Sequence, residues 1–151
     1  MDHRLEFIKG FGATDTINTR GMTDVQVVEA VRALTGGFGV DGVMEVAGIP
    51  ALIPLGLKCL RIGGRFVEIG NSSPGAAFNY DACDIVWRRL TLKGVHNYDA
   101  KHLQMAVDFL SMTRELFPFE DIVTHRVGLE DITKGMRIAE SGEVIRVAVL
   151  P

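Results

Sequence analysis

Residues 37–42 read GFGVDG and match the pattern G-x-G-x-x-G at every position. Three glycines at that spacing can cradle a phosphate, but only when a strand runs into them and a helix leaves them. The free N–H groups of the helix N-terminus then face the pyrophosphate. Here the order is inverted: a helical segment through Leu34 precedes the glycines and the strand-like GVMEV, Gly42–Val46, follows them. They read as a helix stop and a tight connection into a strand. Other reactive side chains carry as little chemistry. His96, His102 and His125 have neither H-x-x-x-H nor H-E-x-x-H spacing, so they signal no metal. The two cysteines, Cys59 and Cys83, lie far apart without C-x-x-C spacing and read as buried thiols. Asp81 and Asp84 read as acids at a helix start rather than as a catalytic carboxylate pair. Trp87 reads as a core residue, and His96 as an ordinary loop histidine, with a place beside a substrate as the alternative.

The elements that must position any site alternate between helix and strand. His3 to Lys9 carries Leu5 and Ile8 on one helical face, and GFGA stops the run. A short extended piece at Thr16 to Asn18 follows. Thr23 and Asp24 offer an N-cap for a helix through Leu34, with Val27, Val28, Val31 and Leu34 facing inward. Strands are expected at Gly42–Val46, Arg65–Ile69, Leu90–Val95, Ile122–Val127 and Val144–Leu150, with helices at Ala51–Leu60, Lys101–Thr113 and Leu129–Ser141. Pro54 marks the first turn of a helix that begins slightly later than Ala51. Strands separated by helices predict βαβ crossovers and a mostly parallel sheet.

Composition narrows the class. The chain has 151 residues, 47% hydrophobic and 23% charged, which is one domain's worth of material with enough apolar mass for a core. A net charge of -3 gives no electrostatic reason for a nucleic acid or an anionic membrane as partner. No apolar run approaches the roughly 18 residues of a membrane span, and the start MDHRLEF lacks the form of a signal peptide. A cytoplasmic location is the expectation.

Read together, three stretches resemble one family. The run GGFGVDGVMEVAGIPALIPLGLKCLRIGGRFVEIGN, residues 36–71, is similar to the middle of the cofactor domain of medium-chain, zinc-type alcohol dehydrogenases. The head HRLEFIKGFGATDTIN resembles the stretch after that domain's second strand, and the tail EDITKGMRIAESGEVIRVAVLP its closing helix and strand. The resemblance covers essentially the whole chain. It implies an α/β fold: a partial Rossmann domain, doubly wound and mostly parallel, lacking its first strands and the glycine fingerprint. Residues 1–121 are expected to form part of the dinucleotide-binding domain and residues 122–151 to return to the catalytic domain of the whole enzyme. The fingerprint, the catalytic zinc ligands and any structural zinc lobe are expected upstream of Met1, so zinc belongs to the full-length enzyme alone and no catalytic or metal residue is assigned here.

The same resemblance assigns cofactor contacts for NAD or NADP. Arg4 matches an R-L motif arginine that approaches the adenosine ribose, where a guanidinium also suits a phosphorylated ribose. A solvated helix residue is the alternative. Val46, Ala47 and Gly48 end a strand at its carboxyl edge, where open α/β sheets bind ligands. Ile69, Gly70 and Asn71 end the next, and Val95 and Asn97 follow the third. Backbone groups at these turns hold the nicotinamide in the family. Arg146 matches an arginine that reaches the pyrophosphate through forked hydrogen bonds.

In the family a zinc ion polarises the alcohol oxygen while hydride passes to the nicotinamide. A small alcohol, or the matching aldehyde or ketone, is the implied substrate, and the isolated chain is expected to be inactive. A homodimer is implied through the Leu90–Val95 edge strand, whose alternating apolar residues invite pairing. Three rivals share the pattern. A zinc-free quinone reductase-type dehydrogenase would carry glycine-lysine near Ile145 and Arg146. A methyltransferase-like Rossmann domain would have no place for ESGEVIRVAV. A noncatalytic dimerisation module would be favoured if the natural gene begins at Met1.

Overall fold

The computed structural model describes residues 2–151. They fold into two compact units: Thr19–Lys101 forms one, while the segment up to Asn18 joins His102–Pro151 in the other.

The Thr19–Lys101 unit opens with the capped helix Asp24–Leu34, numbered α2 after the N-terminal α1 (Asp2–Lys9). Thr23 accepts from the Gln26 N–H while the Gln26 side chain accepts from the Thr23 N–H, a reciprocal capping box. Replacing Thr23 by alanine should therefore cost about 1 kcal/mol, read as a lowered urea midpoint at unchanged slope. Val27 and Val28 are buried as expected, but Leu34 is exposed, because the helix ends there and Thr35 turns the chain away.

Strand β1 (Val40–Glu45) follows the glycine loop, then α3 (Leu52–Cys59), β2 (Leu60–Glu68), α4 (Ala82–Trp87) and β3 (Thr91–Gly94). The loop reading of GFGVDG holds for Gly37–Gly39, whereas Val40–Gly42 already belong to β1, which starts two residues earlier than expected. Gly39 has φ +93°, and a Cβ there would lie 2.5 Å from the Cys59 carbonyl, so the tight connection requires glycine. Pro54 is the third residue of α3, where its missing N–H is one the first turn leaves unpaired. Leu60 belongs to β2 rather than to the preceding helix: its backbone is extended and it pairs with Val40.

The three strands are parallel in the order β1-β2-β3. The helix α3 packs its apolar stripe on this sheet, so Ile53, Leu57 and Leu60 enclose Phe66 in the core. Two expectations fail nearby. Trp87 is 80% exposed and Cys83 is exposed, because α4 buries none of its residues. The short helix is tied down by polar groups instead.

In the other unit, β4 (Val123–Gly128), α6 (Ile132–Ser141) and β5 (Arg146–Leu150) make a parallel pair joined by a helix. The strands thus form two sheets, of three and two strands, rather than one. Gly135 lets α6 settle on the pair, since a Cβ would meet Val127 Cγ2 at 2.8 Å. Phe7, Phe11, Phe117 and Phe119 cluster with ring centroids 5.3–6.1 Å apart and fasten the N-terminal segment to the rest of the unit. Thr16–Asn18 forms no strand: it has no neighbouring strand to supply a ladder. Helix α5 (Ala100–Thr113) spans the boundary between the units in sequence.

Candidate functional site

Parallel β1, β2 and β3 all release their chains at the same edge of the sheet, and this sets the site. In a parallel sheet the carboxyl ends share one rim, where loops can close around a ligand. Three groups expected to contact a cofactor meet there: Val46–Gly48 after β1, Ile69–Asn71 after β2, and Val95 with Asn97 after β3. Val46, Ile69 and Val95 are exposed apolar side chains, one following each strand. Asn97 adopts φ +56°, a left-handed conformation that asparagine tolerates well.

The first two turns touch. Gly48 has φ +73°, and a Cβ on it would lie 2.8 Å from the Gly70 carbonyl oxygen. The backbone carbonyl of Glu45 accepts from both the Ile69 and Gly70 N–H groups at 3.0 Å, which stitches the end of β1 to the turn after β2. The Val95 N–H donates to the Glu68 carbonyl at 2.9 Å and joins the third turn to the second. Two clefts flank the contact. One, of about 250 Å³, is lined by residues that include Val46, Ala47 and Leu52; the other, of about 300 Å³, by residues that include Gly48, Gly70 and Asn71.

Beneath the turns lies a residue that sequence reasoning passed over. Glu45 is 4% exposed and is the one buried charged side chain of the core among the described residues. Its carboxylate accepts from the N–H groups of Ala47 at 2.9 Å, Gly48 at 3.1 Å and Ile49 at 3.4 Å, and from the Asn71 side-chain amide at 3.2 Å. A buried carboxylate is tolerated because these donors replace water. The available signal was the lone charge inside the apolar run GVMEV.

Its register partner on β2 is Glu68, which accepts from the Asn71 backbone N–H at 2.9 Å and side-chain amide at 3.0 Å. Burial disfavours the Glu68 charge, but the hydrogen bonds from the Asn71 backbone N–H and side-chain amide outweigh it and hold the carboxyl below its ordinary range. One oxygen, Oε2, is buried without a hydrogen-bond partner among the described residues. Asn71, expected to face a cofactor, thus spends its side chain on Glu45 and Glu68.

Arg4 and Arg146 lie in the other unit. The Arg4 guanidinium donates to the Val144 carbonyl at 2.7 Å, tying α1 to the segment before β5, and Arg146 is exposed at the start of β5.

A larger cavity, about 490 Å³, is lined by Arg32, Lys58, Tyr80 and Arg88 among others, all away from the turns just described. Its polar groups already serve each other: Tyr80 donates to Asp84, and Arg88 pairs with Asp84 at 2.8 Å and donates to the Leu60 carbonyl. It is a structural network. Burial, with the adjacent Asp84, pushes the Tyr80 phenol up to about 12. The folded state thus favours the neutral phenol, and that stabilisation is present below the usual tyrosine value near 10 and disappears as pH rises to about 12. Absorbance titration should find one tyrosine ionising about two units late, and Asp84→Asn should bring it back toward the ordinary range.

Among the described residues no group of three or more histidine, cysteine, aspartate or glutamate side chains could hold a metal ion. No helix among them is long and apolar enough to cross a membrane.

Known proteins of similar sequence and fold are dehydrogenases. L-threonine 3-dehydrogenase from Bacillus velezensis is 33% identical over 151 residues, covering 99% of this chain but 42% of its own length. The crystal structure of an alcohol dehydrogenase from Thermotoga maritima superposes with a TM-score of 0.87 at 26% identity, covering 100% of this chain and 41% of that one. An alcohol dehydrogenase zinc-binding domain protein from Burkholderia ambifaria gives a TM-score of 0.85 at 28% identity, over 100% and 40%. The chain therefore spans about two-fifths of the relatives it matches. These matches favour neither the methyltransferase reading nor the interaction-module reading. The family model described as zinc-binding dehydrogenase matches residues 1–112, and the chain belongs to that family.

Proposed function

We propose that this chain supplies the nicotinamide-facing part of the cofactor site of an NAD(P)-dependent alcohol dehydrogenase. The observation that carries the reading is the convergence of Val46–Gly48, Ile69–Asn71 and Val95 on one rim, with glycine backbone packed against glycine backbone. Gly48 and Gly70 leave room that a side chain would fill, and the three apolar side chains suit the face of a flat ring. Asn97 extends that rim. Arg4 and Arg146 are the candidates for the ribose and pyrophosphate; the charge and forked geometry of a guanidinium support those roles.

A bound nicotinamide would supply the hydride acceptor. This chain's contribution is to hold the ring, keep water from its face and fix its orientation. The described residues do not fit a zinc site, so no step here runs through a metal. In the whole protein, residues 1–121 would lie in the dinucleotide-binding domain and 122–151 would lead back toward the catalytic domain. The substrate class in this reading is a small alcohol or its carbonyl product. The names of the relatives, threonine and alcohol dehydrogenases, support that class.

A homodimer through β3 belongs to the same reading. Its support is that β3 ends its sheet and that all four of its residues are exposed. A cytoplasmic location is supported by two free thiols, one of them exposed, which suit a reducing compartment.

The test is a titration of the purified chain with NAD and NADP in both redox forms, followed by amide chemical shifts. Binding should perturb residues 46–48, 69–71 and 95, and alcohol oxidation should be negligible without a second polypeptide. Absence of binding, or perturbation confined to the Arg32–Tyr80 cavity, would overturn the reading. Turnover by the purified chain would overturn its division of labour.

A further inference from the structure

We propose that Glu45 is a positioning residue for the ligand: by drawing three backbone N–H groups inward, it turns the carbonyls of Val46, Ala47 and Gly48 out to the rim, which there receives hydrogen-bond donors and not oxyanions. The inference rests on the reading of the rim as the nicotinamide side of a dinucleotide site. It goes further by naming the buried side chain that sets the hydrogen-bonding sense of one of its turns.

Burial makes the arrangement compulsory. Glu45 is 4% exposed, so its oxygens must find donors inside the protein. Oε1 accepts from the N–H groups of Ala47 at 2.9 Å and Ile49 at 3.4 Å, and Oε2 from that of Gly48 at 3.1 Å. Successive peptide groups thus turn their hydrogens to one side chain at the end of β1.

The planar peptide fixes what faces the other way. No described peptide bond is cis, so each C=O points opposite the N–H of the next residue. With the hydrogens of residues 47–49 held inward, the carbonyls of residues 46–48 face away from the carboxylate. None of those carbonyls accepts a hydrogen bond from another described residue. Val46 and Ala47 line the cleft of about 250 Å³ and Gly48 lines the one of about 300 Å³, so free acceptors border both.

Anion-binding turns have the opposite sense and aim successive N–H groups at the ligand. This turn keeps its donors for Glu45, and what it offers suits an amide N–H or a hydroxyl. The main chain of Glu45 is bonded separately, through its carbonyl, to the N–H groups of Ile69 and Gly70. A change of side chain therefore frees the turn without parting the strand ends.

E45Q and E45D are the probes. Glutamine must set its NH2 against one of the N–H groups that the carboxylate holds, and aspartate keeps the charge but falls a methylene short of them. In both variants hydrogen exchange at residues 47–49 should quicken about tenfold, and the dissociation constant for NAD or NADP should rise about tenfold, the effect of one bond lost to a buried carboxylate. AMP, which in this reading engages only the adenosine end, should bind within about twofold of wild type, because distant sites act independently. Damage to the whole fold would weaken both ligands alike. The wild-type chain offers a second measurement that needs no substitution. Saturation with the dinucleotide should move the carbonyl carbon shifts of residues 46–48 while the amides of 47–49 stay in slow exchange, and inorganic phosphate should leave those carbonyls unmoved.

Wild-type amides at 47–49 that exchange as fast as those of Ser73 and Gly75, whose N–H groups have no partner, would overturn this inference alone. So would variants with quickened exchange and unchanged dinucleotide affinity, and so would carbonyls that move with phosphate or stay still with bound dinucleotide. A wild-type chain that binds no dinucleotide would overturn the proposed function and this inference with it.

Discussion

Phe66→Ala is expected to remove about 3–5 kcal/mol of stability. Phe66 is 1% exposed and sits in the central strand β2, paired with Val43 on one side and Leu92 on the other. Its ring presses on α3 at Gly56, where a Cβ would approach the ring to 2.7 Å, so helix and sheet are already as close as their backbones allow. The void left by alanine cannot be closed by a shift of α3, because Ile53, Leu57 and Leu60 already fill the remaining space. Against a domain stability of about 5–15 kcal/mol, the loss is a large fraction. Urea denaturation should show a much lower midpoint, while Phe66→Leu, which keeps most of the volume, should lose less than about 1.5 kcal/mol. Equal losses from the two variants would show that ring volume is not what the site requires.

Gly70→Ala should cost about 3 kcal/mol and, on the proposed reading of the rim, also abolish dinucleotide binding. The obstacle is space rather than backbone angle, since Gly70 is not among the glycines with positive φ. A Cβ at Gly70 would lie 2.5 Å from Glu45 Oε2 and 2.8 Å from Gly48 Cα. The two turns would have to part, breaking the bonds from Ile69 and Gly70 to the Glu45 carbonyl and withdrawing Asn71 from the carboxyl pair. Denaturation and a dinucleotide titration separate the two effects. Lost stability with unchanged affinity would mean that the contact of the turns holds the fold but not the ligand. Gly75, whose surroundings are open, serves as a control for stability within the same loop, provided its replacement respects the left-handed backbone there.

Local signals in the sequence were reliable where the physics is local. The N-cap at Thr23, the glycine stop after Leu34 and the early-turn proline of α3 each involve groups within a few residues of one another. The alternation of helix and strand announced parallel pairing, because a short chain that returns through a helix arrives pointing the same way. From this followed the placing of Gly48 and Gly70 on one rim. Strand partners could not be read so directly. Thr16–Asn18 is extended in composition yet joins no sheet, and the expected single sheet is two, since pairing depends on what lies alongside. The fate of Trp87 and Cys83 was equally hidden: an apolar side chain on a short helix is buried only if something packs over it.

The sequence by itself determined the α/β order, the helix-to-strand placing of GFGVDG and the family, because those rest on periodicity, turn chemistry and the succession of motifs along one chain. Only the tertiary structure decided that a glutamate in the middle of an apolar strand would sit beneath both turns. Glu45, Glu68 and Asn71 are distant or unremarkable as letters, and their meeting required β1 and β2 to align in a particular register. Burial then made hydrogen bonding compulsory: a carboxylate removed from water must gather donors, and the nearest ones were the N–H groups of the turn above it.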